Sequence, residues 1–189
     1  MSLTPKGEAR RTALLDAVLR VLAREGAGGI THRAVAREAG VPLAAATYYF
    51  ANLDDLYVSA LRRATEEQVE LFTSLESGNL HRFAEVLHDW VYRDRGAAIA
   101  TYELMFLAMR RDALRADAER WYLSLEHAID PAGEHPERTR VVSMAIDGLL
   151  LRMLWLGDPA TVDEVETTLR SITVGGSSPS SLFPASGRT

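Results

Sequence analysis

Residues 31–50, THRAVAREAGVPLAAATYYF, are two short helical patterns hinged at Gly40-Val41-Pro42. This spacing is what a helix-turn-helix needs to lay one helix in a DNA major groove. A second chemical grouping is aromatic. Trp90, Tyr102, Met105, Phe106, Met109, Trp121 and Tyr122 lie on three consecutive helical patterns at spacings that can converge, and large rings with flexible Met suit an adaptable cavity for a small molecule. Glu103 is the polar group expected to orient a ligand there. Asp147 is a second candidate, with a salt bridge to Arg152 or a hydrogen bond to a neighbouring helix as the plainer role. His81, Glu85 and His88, at i, i+4 and i+7, offer a face that could in principle hold a metal. The same helix buries Leu80, Phe83, Leu87, Trp90 and Val91, which makes a solvated flank the better reading. No metal and no cofactor is expected.

Other chemistries find little support. The chain has no cysteine, which excludes disulfides, thiol catalysis and thiolate zinc sites. His127 and His135 stand in no motif, and there is no Ser-His-Asp context, glycine-rich phosphate loop or paired-carboxylate pattern. An all-α enzyme built on Glu103 and His88 is the weakest of the readings.

The elements that must position these groups are helices. Thr31 is a good N-cap, and Ala34, Val35, Ala36 and Ala39 form the narrow apolar face of a first helix. Gly40 can take the left-handed conformation that stops it, and Pro42 suits the first turn of a second helix over residues 42–49. Upstream, residues 13–26 form a helix with Leu14, Val18, Val21 and Leu22 on one stripe and Gly26 as its stop. Downstream, Asn52 reads as an N-cap with Asp55 at N3. From Asp54 onward the periodicity is helical, over about 54–75, 80–93, 96–110, 113–129, 136–156 and 161–172. The tail from residue 175, rich in Gly, Ser and Pro, is expected to be poorly ordered.

These segments together resemble the DNA-binding third of the tetracycline-repressor (TetR) family of bacterial regulators. The resemblance implies an all-α protein with a three-helix head over residues 1–53, a helical ligand-binding and dimerisation body over 54–174 and a flexible tail over 175–189. It implies that Leu43, Ala44 and Ala45 meet base edges with Tyr48 nearby. It also places Thr31, Arg33, Thr47, Tyr49 and the arm residues Arg10 and Arg11 on phosphates. Small apolar groups at 43–45 cannot make bidentate base contacts, so thymine methyls and groove shape would be read, with specificity leaning on His32, Arg33 and Tyr48. Two positions depart from the family pattern: Thr47 stands where Tyr is common and Leu53 where Lys is common.

The 189 residues, 47% of them apolar, suffice for one substantial core and a small second one. No apolar run is long enough to span a bilayer and the N-terminus lacks a signal-peptide pattern, so a cytoplasmic location is expected. The net charge of −5 hides an asymmetry: residues 1–50 hold seven basic and four acidic side chains, and the remainder 14 against 22. A basic head on an acidic body focuses phosphate contact on one end.

Residues 141–156, VVSMAIDGLLLRMLWL, are apolar on nearly every face. A helix has one side toward its own core, so the other needs a second burial surface, and a partner chain supplies it most simply. With the following helix it would form a four-helix interface about a twofold axis, through Leu150, Leu154, Val165 and Leu169. The reading is therefore a homodimeric repressor released from a palindromic DNA operator by a small apolar or amphipathic inducer, its head oriented through the helix that begins near Asn52. The alternative is a sensor or carrier of the same fold that acts through protein contacts without DNA.

Overall fold

A computed structural model describes residues 4–75, 79–156 and 160–174. Among them nine α-helices follow one another with no strand: α1 Pro5–Glu25, α2 His32–Glu38, α3 Leu43–Tyr49, α4 Leu53–Thr73, α5 Leu80–Tyr92, α6 Arg95–Ala108, α7 Arg115–Ile129, α8 Pro136–Leu156 and α9 Val162–Val174. The breaks expected at Gly78 and at 157–159, and the tail 175–189, lie outside the described residues. No described helix is long and apolar enough to cross a membrane.

Local chemistry explains the boundaries. Thr31 accepts from the Ala34 amide at 3.0 Å and Asn52 from the Asp55 amide at 2.9 Å, satisfying donors that a helix start leaves free. Gly26 and Gly40 take φ of 66° and 67°, which a side chain would strain, and so end α1 and α2. Pro42 caps α3 from extended backbone instead of entering its first turn. The helix expected to begin at residue 13 begins at Pro5: Thr4 caps it by accepting from the Gly7 amide at 3.2 Å, with Pro at the first helical position. Arg10 and Arg11 consequently lie on α1 and not in an arm.

Packing gathers these helices around two apolar clusters. One joins Leu14, Val18, Leu22 and Phe50 of the first three helices and their links to Leu56 and Leu61 of α4, to Leu104 and Met105 of α6, and to Leu114 and Trp121. The other joins α5, α8 and α9 through Leu87, Val91, Ile146, Leu150 and Leu169, with Tyr102 and Leu125. A fully buried side chain of this size contributes about 1.5–3 kcal/mol, so either cluster is far too large to lose. The division expected at residue 53 is not a division of core, because α1 lies directly against α6. A buried carboxylate also ties the body: Asp117, 4% exposed, receives both Nε (3.1 Å) and a terminal nitrogen (3.2 Å) of Arg62, locking α7 to α4.

Candidate nucleic-acid interface and ligand cavity

In α3 only Ala46 is buried. Leu43, Ala44, Thr47 and Tyr48 therefore face outward, and Tyr48 is 76% exposed with its ring edge-on to Tyr49 at 5.1 Å. Ala45 and Tyr49 are half-buried. Thr31, an exposed cap, and Arg33 flank this helix from the start of α2. His32 does not share their freedom. Its Nε2 lies 2.9 Å from the Phe50 carbonyl, tying the start of α2 to the end of α3. The Thr47 hydroxyl bonds back to the Leu43 and Ala44 carbonyls at 3.4 and 3.3 Å.

The positive charge of the head is unevenly available. Arg20 and Arg24 are ion-paired to Glu38 at 2.8 and 3.1 Å, which holds that carboxyl below its usual range. Arg11 lies 5.8 Å over the Phe50 ring and reaches the Ser59 hydroxyl at 3.5 Å. Lys6, Arg10, Arg33 and Arg37 remain exposed without an ion pair among the described residues, and these four are the cations with nothing to give up on meeting a phosphate.

Glu103, expected in the ligand cavity, is found at the join of head and body. Its Oε2 accepts from the Ala27 amide at 3.3 Å, while the Tyr57 hydroxyl donates to the Ala27 carbonyl at 3.1 Å. Arg111, paired to Asp54, stacks over Tyr57 at 5.1 Å. Both backbone polar groups of one residue just before α2 are thus held by the body. Glu103→Ala should leave the fold intact and speed amide hydrogen exchange at Ala27 and neighbouring positions by about tenfold, the worth of one lost hydrogen bond. Exchange at the native rate in the variant would show that the contact holds nothing.

The cavity itself, about 350 Å³, lies between α4, α5, α6, α7 and α8. Trp90 and Trp121 form one wall with centroids 5.7 Å apart, and Phe72, Leu71 and Leu150 line it as well. Three carboxylates, those of Glu67, Asp94 and Asp147, border it, with no Lys, Arg or His in the lining among the described residues. Glu67 is already paired to Arg63 at 2.8 Å. Asp147 accepts from the Tyr102 hydroxyl at 2.7 Å. Burial pushes the Asp147 carboxyl above its usual range, against the opposing pull of that hydrogen bond, and pushes the Tyr102 hydroxyl up too.

Of the aromatic set expected here, Trp90 and Trp121 line the cavity and Tyr102 backs it, 5.8 Å from Trp90. Met105 is buried in the cluster shared with the head. Phe106, Met109 and Tyr122 are 51%, 76% and 43% exposed. Helical spacing puts 106 and 109 on the same side as 102 and 105, and the Phe106 ring lies 6.3 Å from that of Tyr102, but the two stand in the last turn of α6 and at its C-cap, beyond the residues that line the cavity. Asp94 and the α4 residues Leu71 and Phe72 are additions, with no signal beyond helical spacing.

A comparable correction applies to α8 and α9. Leu150, Leu154, Val165 and Leu169 are at most 8% exposed within the single chain, as core against α5. The unpaired apolar surface of α8 is its opposite stripe: Val141, Met144 and Trp155, 65%, 64% and 91% exposed, with Gly148 between them. A Cβ on Gly148 would meet nothing within 4 Å. On α5, His81 Nδ1 lies 2.7 Å from Glu166 and His88 Nδ1 lies 3.3 Å from Asp89, so the two histidines turn to different carboxylates.

Comparison with known proteins gives a consistent picture. The family profile described as tetracyclin repressor-like, C-terminal domain, matches residues 78–175. The multidrug binding protein EbrR, solved in complex with ethidium, is 35% identical over 86% of this chain and 98% of its own, with a TM-score of 0.72. Further crystals of EbrR hold proflavin and malachite green. A TetR-family member from Streptomyces coelicolor A3 is 34% identical over 86% of this chain and 97% of its own, with a TM-score of 0.75. No curated protein matches the sequence.

Proposed function

Because the chain belongs to the tetracycline-repressor family of transcriptional regulators, we propose that it is a homodimeric repressor released from its operator by a flat aromatic cation. The observation that carries the ligand class is Asp147: a largely buried carboxylate beside two indoles, in a cavity whose lining offers no counter-cation. Indole faces and a desolvated carboxylate both attract positive charge, and each gains strength as water leaves. The dyes held by EbrR, proflavin, ethidium and malachite green, support the same class.

In this reading residues 1–53 address DNA and 54–174 sense and dimerise, in the cytoplasm. The α8 stripe of Val141, Met144, Gly148 and Trp155 is the twofold contact, and two copies of α3 enter successive major grooves roughly 34–36 Å apart. Leu43, Ala44 and Tyr48 face the base edges, while Arg10, Arg33 and Arg37 meet phosphates. The side chains on either side of one α6 peptide link the two tasks: Tyr102 holds Asp147, and Glu103 holds Ala27. A cation that recruits Asp147 disturbs the first contact and shifts the balance between head orientations, by no more than its differential affinity for the two states.

The test is a titration of tryptophan fluorescence with proflavin, with and without the DNA upstream of the gene. Quenching at micromolar proflavin, weakened about 5- to 150-fold when operator is bound, is expected from a coupling of ~1–3 kcal/mol. On the DNA side, Arg33→Ala should weaken binding to every sequence and lower the salt slope by about one. Tyr48→Ala should instead reduce discrimination between operator and random DNA. Quenching of equal affinity with and without operator would leave a sensor with no switch. Unaltered DNA binding by both variants would favour a protein that acts through other partners.

A further inference from the structure

A second cavity, about 430 Å³, adjoins the first. The two share Phe72 and are lined by neighbouring residues of the same helices. On α4, Gln68 and Leu71 belong to the first and Val69 and Thr73 to the second; on α7, Trp121 and Leu125 to the first and Ser124, Ala128 and Ile129 to the second; on α8, Asp147 and Leu150 to the first and Val142 and Ile146 to the second. Phe72 lines both, and its ring meets that of Phe83 in the second at 5.6 Å. At the same level the Gln68 side chain donates to the Ser124 hydroxyl at 2.7 Å, joining a residue of each chamber. Phe72 and the Gln68–Ser124 pair thus stand where the two meet.

The chambers differ in charge. The first is bordered by three carboxylates. Among the described residues the lining of the second has no Asp, Glu, Lys or Arg, and His127 is the one titratable side chain there; Phe83, Ile129, Val142 and Ile146 make it apolar. A cation meets no carboxylate among the described residues of the second chamber, and an aliphatic chain gains little from the carboxylates of the first. Each volume falls within the roughly 300–1,000 Å³ of ordinary ligand sites.

We propose that the two chambers form one bipartite site for an amphipathic cation: a flat cationic head held by Asp147, Trp90 and Trp121, and an aliphatic tail passing Phe72 into the neutral chamber bounded by Phe83, Ala128 and Ile129. This rests on the reading of the first chamber as a cation site. It adds that affinity is set by tail length, because each methylene leaves water for an apolar wall.

A series of N10-alkylated acridinium dyes, methyl through nonyl, titrated against the full chain by fluorescence, tests it. Affinity should rise roughly three- to fourfold per methylene until the second chamber is full, and then level. Ala128→Phe, which puts a ring into that chamber, should flatten the rise and leave the methyl dye bound as before. For native protein, saturating 1-hexanol should weaken the nonyl dye and leave the methyl dye untouched, a readout independent of how the variant folds. Equal affinity along the series, or an undiminished rise in Ala128→Phe, would overturn the second chamber alone. Failure of the methyl dye to bind, or its indifference to Asp147→Asn, would overturn the cation reading and the bipartite site with it.

Discussion

Asp147→Asn should yield a protein that is more stable than the native one and that binds aromatic cations poorly. The amide keeps an oxygen for the Tyr102 hydroxyl, which lies 2.7 Å from the carboxylate, and adds no volume. What it removes is a charge whose burial raises the Asp147 pKa. The sign follows from linkage. Below the ordinary carboxylate range Asp147 is neutral in folded and unfolded chains alike, and the substitution changes little. As pH rises past the unfolded value, the unfolded chain gains a solvated charge that the folded chain resists, so native stability falls relative to the variant. Thermal melts should therefore coincide near pH 3 and separate by a few degrees at pH 7, with the variant higher. Proflavin should bind the variant at least about 30-fold more weakly, the lower range for truncating one partner of a buried charge pair. Native affinity itself should fall as acid protonates Asp147, whereas the variant should show no such pH dependence. Coincident melts at pH 7 with unchanged proflavin affinity would remove Asp147 from the site.

Gly148→Arg should split the dimer without harming the protomer. A Cβ at this position meets nothing within 4 Å in the single chain, and mid-helix glycine costs about 1 kcal/mol relative to a good helix former, so the isolated fold should tolerate or welcome the arginine. Between two copies of α8 the same side chain would set a charge against its own symmetry mate amid Met144 and Trp155. Sedimentation at micromolar concentration should show the native chain as a dimer and the variant as a monomer with undiminished helicity. Operator affinity should fall roughly 10³-fold or more, toward the non-specific level, because a single head spans only half a site. A native monomer, or a variant dimer with intact operator binding, would place the contact elsewhere.

How far the sequence disclosed this arrangement depended on whether a signal was local. Thr31, Gly40 and Asn52 act on their own turns, through a cap, a positive φ and a second cap, and the order and type of the helices followed from such marks. The start of α1 went unread because Gly7 weakened the pattern behind the Thr4-Pro5 cap, although tertiary packing buries that glycine. The site was harder. Where a helix is apolar on all sides, as α6 and α8 are, periodicity cannot tell inward from outward. On α8 this places Leu150 and Leu154 on the interface, when they face the core; Phe106 and Met109 have the right side of α6 but stand at its exposed C-terminal end, which spacing does not show. Glu103 was singled out correctly as unusual and assigned the wrong task, because its partner, the Ala27 amide, is 76 positions away in the chain.

The apolar cluster that runs from Leu14 and Phe50 into Leu104 and Trp121 also bears on how such a protein can be rebuilt. A head cut out at residue 53 would carry into water a face that Leu104, Met105 and Leu114 now cover, and grafting it onto a foreign body would ask an unrelated surface to match it. Whole-head chimeras should therefore misfold or aggregate. The outward side chains of α3, Leu43, Ala44, Thr47 and Tyr48, are exposed and stand outside this cluster, so they can be exchanged singly. Engineered re-targeting, like natural divergence, then has an easy route through a few exposed positions and a barred one through module shuffling: a new address can be written on the old sensor, but the sensor and its head must be inherited as one piece.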